Sequence, residues 1–163
     1  MKFLTTAALA LITVSTMAAA QDRYSDRSHH SQTARYQSPQ KVFVFSPRDK
    51  HWAAYENGRK VASGVANGGM DGHRTPVGVF RVMDKAGPYH VSSVYPKYKN
   101  GSRGGAPMPY AMHFTKLGHA IHGSPEIYNH NSSHGCIRVK TSAAKWLNES
   151  FMTRGTTVIV RPY

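Results

Sequence analysis

The dipeptide Asn57-Gly58 limits the fold more than any other short stretch of the chain. A two-residue hairpin turn needs positive φ at its central positions, which Asn and Gly tolerate best. On one side His51 to Glu56 carries Trp52 and Tyr55 as large apolar side chains; on the other Arg59 to Ala66 returns as the partner strand. Further β-runs assemble around this hairpin. Val42-Phe43-Val44-Phe45 is an apolar run closed by Ser46-Pro47. Thr75 to Val82 starts in a turn and continues as a strand, expected to bury Val77 and Val79, with Phe80 and Val82 as further core candidates. Tyr89 to Tyr95 reads as another strand, and Pro96 to Pro109 as a long Gly/Pro-containing loop of the kind that often carries function. Tyr110 to Phe114 and Ala120-Ile121 read as core strands. One helix is expected, capped by Thr141 or Ser142, with Ala143, Leu147 and Phe151 forming an i, i+4, i+8 apolar stripe. Gly155 ends it and Thr156 to Val160 is a final buried strand. Many short strands with one late helix predict a mainly β domain, a sandwich or barrel-like fold.

The length of 163 residues suits one such domain with an appended terminus. Met1-Lys2, an apolar run from Phe3 to Met17 and Ala18-Ala19-Ala20 have the layout of a secretory signal peptide, residues 1–20. Export to the cell envelope, the periplasm by preference, is therefore expected, with no transmembrane anchor after cleavage. Residues 21–40 are polar, with few apolar side chains, and read as a disordered linker; His29 and His30 belong to that solvated tail. Residues 41–163 form the folded domain. The formal charge is +13, from 21 basic and 8 acidic residues. Such a balance points to an anionic partner, of which a cell wall fits an exported protein. The basic residues are scattered among strands and match no nucleic-acid-binding motif, so nucleic acid is not an expected partner.

The segment Gly118 to Arg138 holds the only cysteine, Cys136, and the histidines His119, His122, His130 and His134. One cysteine excludes an intramolecular disulfide, and an unpaired thiol in an oxidising compartment is either buried or used. A thiol becomes a nucleophile when an imidazole takes its proton and leaves a thiolate–imidazolium pair. His134-Gly135-Cys136 is a tight turn whose amides can converge on an anion, the construction of an oxyanion hole. Arg138, two residues on, would project on the same side as Cys136. It would steady the loop or hold a carboxylate. His122 ends a strand and is followed by Gly123, a good platform for the base; His134 is expected to be a structural or substrate-facing hydrogen bonder. His119 and His130 read as loop or surface histidines. The spacings His119-x-x-His122 and His130-x-x-x-His134-x-Cys136 also suit zinc, although zinc pairs usually sit on helices or knuckles with a second cysteine or an acidic ligand. No metal and no cofactor are expected.

His122-Gly123 followed by Ser133-His134-Gly135-Cys136-Ile137-Arg138 resembles the active-site signature of the L,D-transpeptidase catalytic domain, the YkuD family. The Asn57-Gly58 hairpin, the Asn67–Gly72 loop, Thr75-Pro76-Val77-Gly78-Val79-Phe80, Pro107-Met108-Pro109-Tyr110 and Gly155-Thr156-x-Val158 are similar to other family elements. The resemblance covers about Val42 to Arg161. It implies an exported, mainly β, cell-wall enzyme in which Cys136 attacks, His122 is the base and the Gly123 carbonyl orients the imidazole. The amides of His134, Gly135 and Cys136 would form the oxyanion hole with Arg138 in support, and Met108, Tyr110 and Ser133 would contact substrate. The implied reaction is attack on the diaminopimelate–D-Ala bond of a peptidoglycan tetrapeptide stem. A thioester forms and passes to an amine, either a second stem (a 3→3 crosslink) or the lysine of a wall-anchored lipoprotein. Two alternatives stand beside it: hydrolysis of the same thioester by an L,D-carboxypeptidase or amidase, and a non-catalytic basic domain that binds wall or metal.

Overall fold

The computed structural model describes residues 40–163; the expectations for the signal peptide and for most of the linker lie outside the described residues. Gln40, the last residue of the expected linker, is already fixed: its amide donates to Asn57 Oδ1 (3.0 Å) and its carbonyl accepts from the Asn57 amide (2.9 Å).

The hairpin forms where Asn57-Gly58 requires it. β1 (Lys41–Ser46), β2 (His51–Glu56) and β3 (Arg59–Asn67) run as an antiparallel meander, and Asn57 and Gly58 take φ of 50° and 79°. The remaining strands are β4 (Gly78–Arg81), β5 (Asp84–Lys85), β6 (Met112–His113), β7 (Ala120–Ser124), β8 (Ile137–Lys140) and β9 (Thr157–Val160). They join into one curled sheet in the order β4-β9-β1-β2-β3-β8-β7-β6-β5, with β1–β9 and β7–β8 parallel. β3 is the seam. Its first part pairs with β2, while Ala66 and Asn67 pair with Val139 and Arg138 of β8.

Side-chain alternation then sorts the two faces. In the first half of the sheet the inner face carries Phe43, Phe45, Trp52, Ala54, Val158 and Val160, all buried, with Phe43 stacked on Trp52. In the second half the same core takes Ala66, Met112, Ile121, Ile137 and Val139. Each large side chain so buried contributes about 1.5–3 kcal/mol relative to exposure. The opposite face of this second half carries His113, Ala120, His122 and Arg138, because these residues share the other parity in the registers His113↔Ala120 and His122↔Arg138.

One helical segment covers the core. The helix α1 (Thr141–Trp146) runs directly into a π-helical turn, Leu147–Phe151. The predicted stripe is present: Leu147 and Phe151 are buried and Ala143 packs against the core, joined by Ala144. The expected cap is not: Lys140 precedes the helix, Thr141 is its first residue, and no side chain bonds the free amides. At the other end Lys85, whose side chain takes the inner parity of β5, donates its ammonium to the carbonyls of Asn148 and Met152. A cation there matches the partial negative charge of a helix C-terminus.

Three strand expectations are corrected. In β4 the phase is inverted: Val77 and Val79 are half to mostly exposed (50% and 71%), while Val82 is buried and Phe80 packs on the core. β4 is an edge strand paired only with β9, and the pairing Phe80↔Val158 turns Phe80 inward. Tyr89 to Tyr95 is not a strand. It forms turns and a single bridge, Val91↔Pro107, to the long loop expected at Pro96 to Pro109, and Tyr89 is 93% exposed. Tyr110 to Phe114 contributes only the two residues of β6, because Tyr110 bends the backbone with φ of 57°.

Candidate active site

A cleft of about 840 Å³ opens over the outer face of β7 and β8. Its floor includes His122, Ser124, Cys136 and Arg138; one wall is formed by residues of the 90–95 and 106–108 segments, another by Leu117, Gly118 and His119. The parallel β7–β8 pair explains the floor. Ile121 faces Ile137 in the core, so the alternate residues His122 and Arg138 face each other outward, and Cys136, just before β8, follows on that side. The projection of Arg138 beside Cys136 is thus as expected.

His122 is buried (6% exposed), and its Nδ1 lies 2.8 Å from the carbonyl oxygen of Gly123. A carbonyl only accepts, so the proton of the neutral ring sits on Nδ1 and Nε2 carries the free lone pair. Burial pushes the His122 pKa down to about 4; the Gly123 carbonyl opposes this and Arg138 adds to it. Cys136 is partly accessible at the floor of the cleft, with Sγ 3.9 Å from the Gly118 carbonyl. Burial pushes its thiol pKa up, against smaller opposing effects of the Ala120 backbone and of Arg138. Both shifts favour the uncharged thiol beside the uncharged imidazole. A thiolate–imidazolium pair is therefore disfavoured in the resting site.

The turn before Cys136 is built by Ser133. This side chain is buried, its hydroxyl donates to the Cys136 carbonyl (2.6 Å), and it accepts from the Gly135 amide (3.0 Å). One expectation changes as a result. The Gly135 amide is already engaged, which leaves the amides of His134 and Cys136 as the turn's candidate anion donors. Ser133, expected to touch substrate, lines the cleft and also holds the turn through its hydroxyl. Gly135 itself has φ of 112°, and a Cβ there would lie 2.6 Å from Cδ2 of His119. Only glycine admits the His119 ring.

The other site residues divide. Met108 is buried and lines the cleft as expected. Tyr110 does not; it packs against the main core. His134 is exposed at the rim, stacked on Tyr95 at 4.1 Å between ring centroids, with His73 4.9 Å away. Desolvation, then the charges of His73, Arg138 and Lys97, lower its pKa. His130 stacks on Tyr128 outside this group. His119, read as a loop histidine, is a cleft residue: half-buried, hydrogen-bonded to Thr115 and seated against Gly135. Also absent from the sequence reading are His90 and the ion pair of His113 with Asp84 (2.6 Å), although His90 and His113 line the cleft. His113 had a signal, since it stands at the outward parity of a short strand, but only the register reveals what it faces. Among the described residues no group of three or more His, Cys, Asp or Glu side chains is arranged to hold a metal ion. None of their helices is long and apolar enough to cross a membrane.

The L,D-transpeptidase catalytic domain, the YkuD family, matches residues 39–160 of the chain. Solved structures agree in fold. An L,D-transpeptidase from Mycobacterium smegmatis superposes with a TM-score of 0.67 at 22% identity, covering 76% of this chain and 59% of the other. L,D-transpeptidase 3 from Mycobacterium tuberculosis, in complex with a faropenem-derived adduct, gives 0.65 at 24% identity over 76% and 61%. An L,D-transpeptidase from Xylanimonas cellulosilytica gives 0.64 at 28% identity over 86% and 69%. The chain thus spans about three fifths of the length of the mycobacterial structures. No curated protein matches it in sequence. Because the family match runs from just before β1 to the last residue of β9, and the solved structures share the fold, the chain belongs to the L,D-transpeptidase catalytic-domain family.

Proposed function

We propose that the chain is a cysteine-dependent L,D-transpeptidase of the cell envelope that acts on peptidoglycan stem peptides. The observation that carries this is the pairing of His122 with Gly123: the carbonyl fixes the Nδ1–H tautomer and frees Nε2 as a proton acceptor on the face that also presents Cys136. The thiol is the donor and the substrate carbonyl the electrophile. As Sγ attacks the carbonyl of the diaminopimelate–D-Ala bond, its proton passes to His122 Nε2, and the oxyanion collects the amides of His134 and Cys136. Collapse breaks the C–N bond, His122 returns the proton to the departing D-Ala nitrogen, and a thioester remains on Cys136. An amine then attacks that carbonyl, the C–S bond breaks, and an amide and the free enzyme result.

The acid–base state of the site supports this order of events. An uncharged thiol and imidazole exchange their proton only as the C–S bond forms, so the nucleophile is developed by the substrate. Arg138 is the cation next to both groups, and its guanidinium would hold the carboxylate of the stem or the negative charge that develops during attack. The acceptor is a second stem or a lipoprotein lysine. Export through the signal peptide of residues 1–20 would bring the enzyme to this substrate.

Digestion of a purified disaccharide-tetrapeptide, with products read by mass, tests the reading. The wild-type protein should release D-Ala and form 3→3 dimers; with amine excluded, any turnover gives the tripeptide by hydrolysis. Cys136→Ala should form neither product while keeping the thermal unfolding midpoint, and His122→Ala should lose roughly 10²–10⁴-fold in rate. Dimer formation by Cys136→Ala would refute the assignment.

A further inference from the structure

Four adjacent strands place one residue each in a single row across the outer face. Asp84 of β5 pairs with His113 of β6, and His113 with Ala120 of β7; Cys136, the residue before β8, continues the register of Ile121 with Ile137. Two strand spacings of about 4.8 Å put the His113 and Cys136 backbones about 10 Å apart. Only the methyl group of Ala120 stands between them in the row. On the strands of this row two imidazoles stand near Cys136: His122 along β7 from Ala120, and His113 across the sheet from Cys136.

His113 is held much as a catalytic base is. Its Nδ1 lies 2.6 Å from Asp84 Oδ1, and an ionised carboxylate only accepts, so Nδ1 carries the proton and Nε2 of the neutral ring is the basic atom. The His113 side chain is 20% exposed and that of Asp84 is 57% exposed. His90 packs edge-on at 5.3 Å between centroids and steadies the ring from the loop side. Asp84 from β5, His90 from the loop, His122 from β7 and Arg138 from β8 are the ionisable groups around it. The contacts with Asp84 and His90 take no part in the acylation chemistry assigned to Cys136 and His122.

We propose that His113, oriented by Asp84, is the base for the acceptor amine in the second half-reaction. The inference rests on the transpeptidase reading. The donor acyl group sits on Cys136 above Ala120, and the acceptor enters from the His113 side. The acceptor's ammonium gives one proton to His113 Nε2, the freed amine nitrogen bonds to the thioester carbonyl, the C–S bond breaks, a second proton of the nitrogen passes to the departing Cys136 thiolate, and His113 releases its proton to solvent. Separate bases serve the leaving and the entering amine.

Two-step turnover separates the roles. The enzyme is first loaded with tetrapeptide donor, the thioester read by intact mass, and a diaminopimelate-containing stem is then added as acceptor. His113→Gln should load the thioester but transfer it roughly 10²-fold more slowly, so that acyl-enzyme accumulates. Raising the pH toward the pKa of the acceptor amine should shrink that deficit, because the free amine no longer needs a base. Asp84→Asn, at an exposed position, should give a smaller transfer defect with the same pH dependence. Equal losses in loading and transfer, or a transfer defect that pH leaves unchanged, would overturn the proposal. Failure of the wild-type protein to load at all would strike the transpeptidase reading itself and this inference with it.

Discussion

Burial raises the Cys136 thiol and lowers the His122 imidazole, so the pH dependence of the site has a definite sign. A resting ion pair would give thiolate reactivity between the two pKa values and a plateau below neutral pH. The neutral pair gives none: each unit of pH below the thiol pKa lowers the thiolate fraction tenfold. Alkylation of Cys136 by iodoacetamide should therefore climb about tenfold per unit from pH 6 into the alkaline range, beyond the ordinary thiol pKa of about 8.5. A flat rate from pH 5 to 7 would show that the pair is charged at rest. This residue-level chemistry was half legible in the sequence. His122-Gly123 and Ser133-His134-Gly135-Cys136 name the proposed reactive groups by type and spacing. The engagement of the Gly135 amide by Ser133, and the seat of His119 on Gly135, depend on the three-dimensional turn and carry no local signal.

At the scale of elements, the loop between β7 and β8 is tied to the end of β3. Asn131 accepts the Gly68 amide (2.8 Å) and donates to the Pro47 carbonyl (3.1 Å), while the amides of Ser132 and Ser133 both donate to the Gly68 carbonyl. Asn67, buried between the two, donates weakly to the Tyr128 carbonyl at 3.5 Å, and its Oδ1 has no partner among the described residues. The turn before Cys136 thus depends on a clasp made outside the cleft. Asn131→Ala removes both side-chain bonds and leaves the Gly68 amide unpaired, which should cost about 1–3 kcal/mol in urea unfolding. It should also speed amide exchange in residues 125–135; unchanged stability and exchange would mean that the backbone bonds alone hold the loop. The elements themselves were unevenly readable. The hairpin is dictated by period-two patterning and a turn dipeptide, both local. β4 was assigned the wrong inward face because Val77 and Val79 are as apolar as Phe80 and Val82, and only pairing with β9 distinguishes the two sets. Tyr89 to Tyr95 has strand-like composition but bends over the cleft mouth, where Tyr95 meets His134.

For the whole molecule, the location of the charge decides what the basic balance can do. Of 21 basic and 8 acidic residues, the expected linker holds only Arg23, Arg27 and Arg35 against Asp22 and Asp26, and residues 1–20 only Lys2. Nearly all the surplus therefore belongs to the domain that carries the cleft. Among the described acids, Glu56, Asp71 and Asp84 are already engaged with Lys41, Arg74 and His113. A domain of this kind would be drawn to anionic wall polymers over its own surface, with the tail adding little. Screening then predicts how binding fails: the range of exposed charges falls from about 10 Å at 0.1 M salt to about 3 Å at 1 M. Sedimentation with purified cell wall should recover most of the protein at low ionic strength and progressively less as salt approaches 1 M. Replacing Arg23, Arg27 and Arg35 with Gln should leave that curve nearly unmoved. Binding that ignores salt would replace electrostatic attraction with specific recognition, and a curve abolished by the three linker substitutions would move the attraction from the domain to the tail.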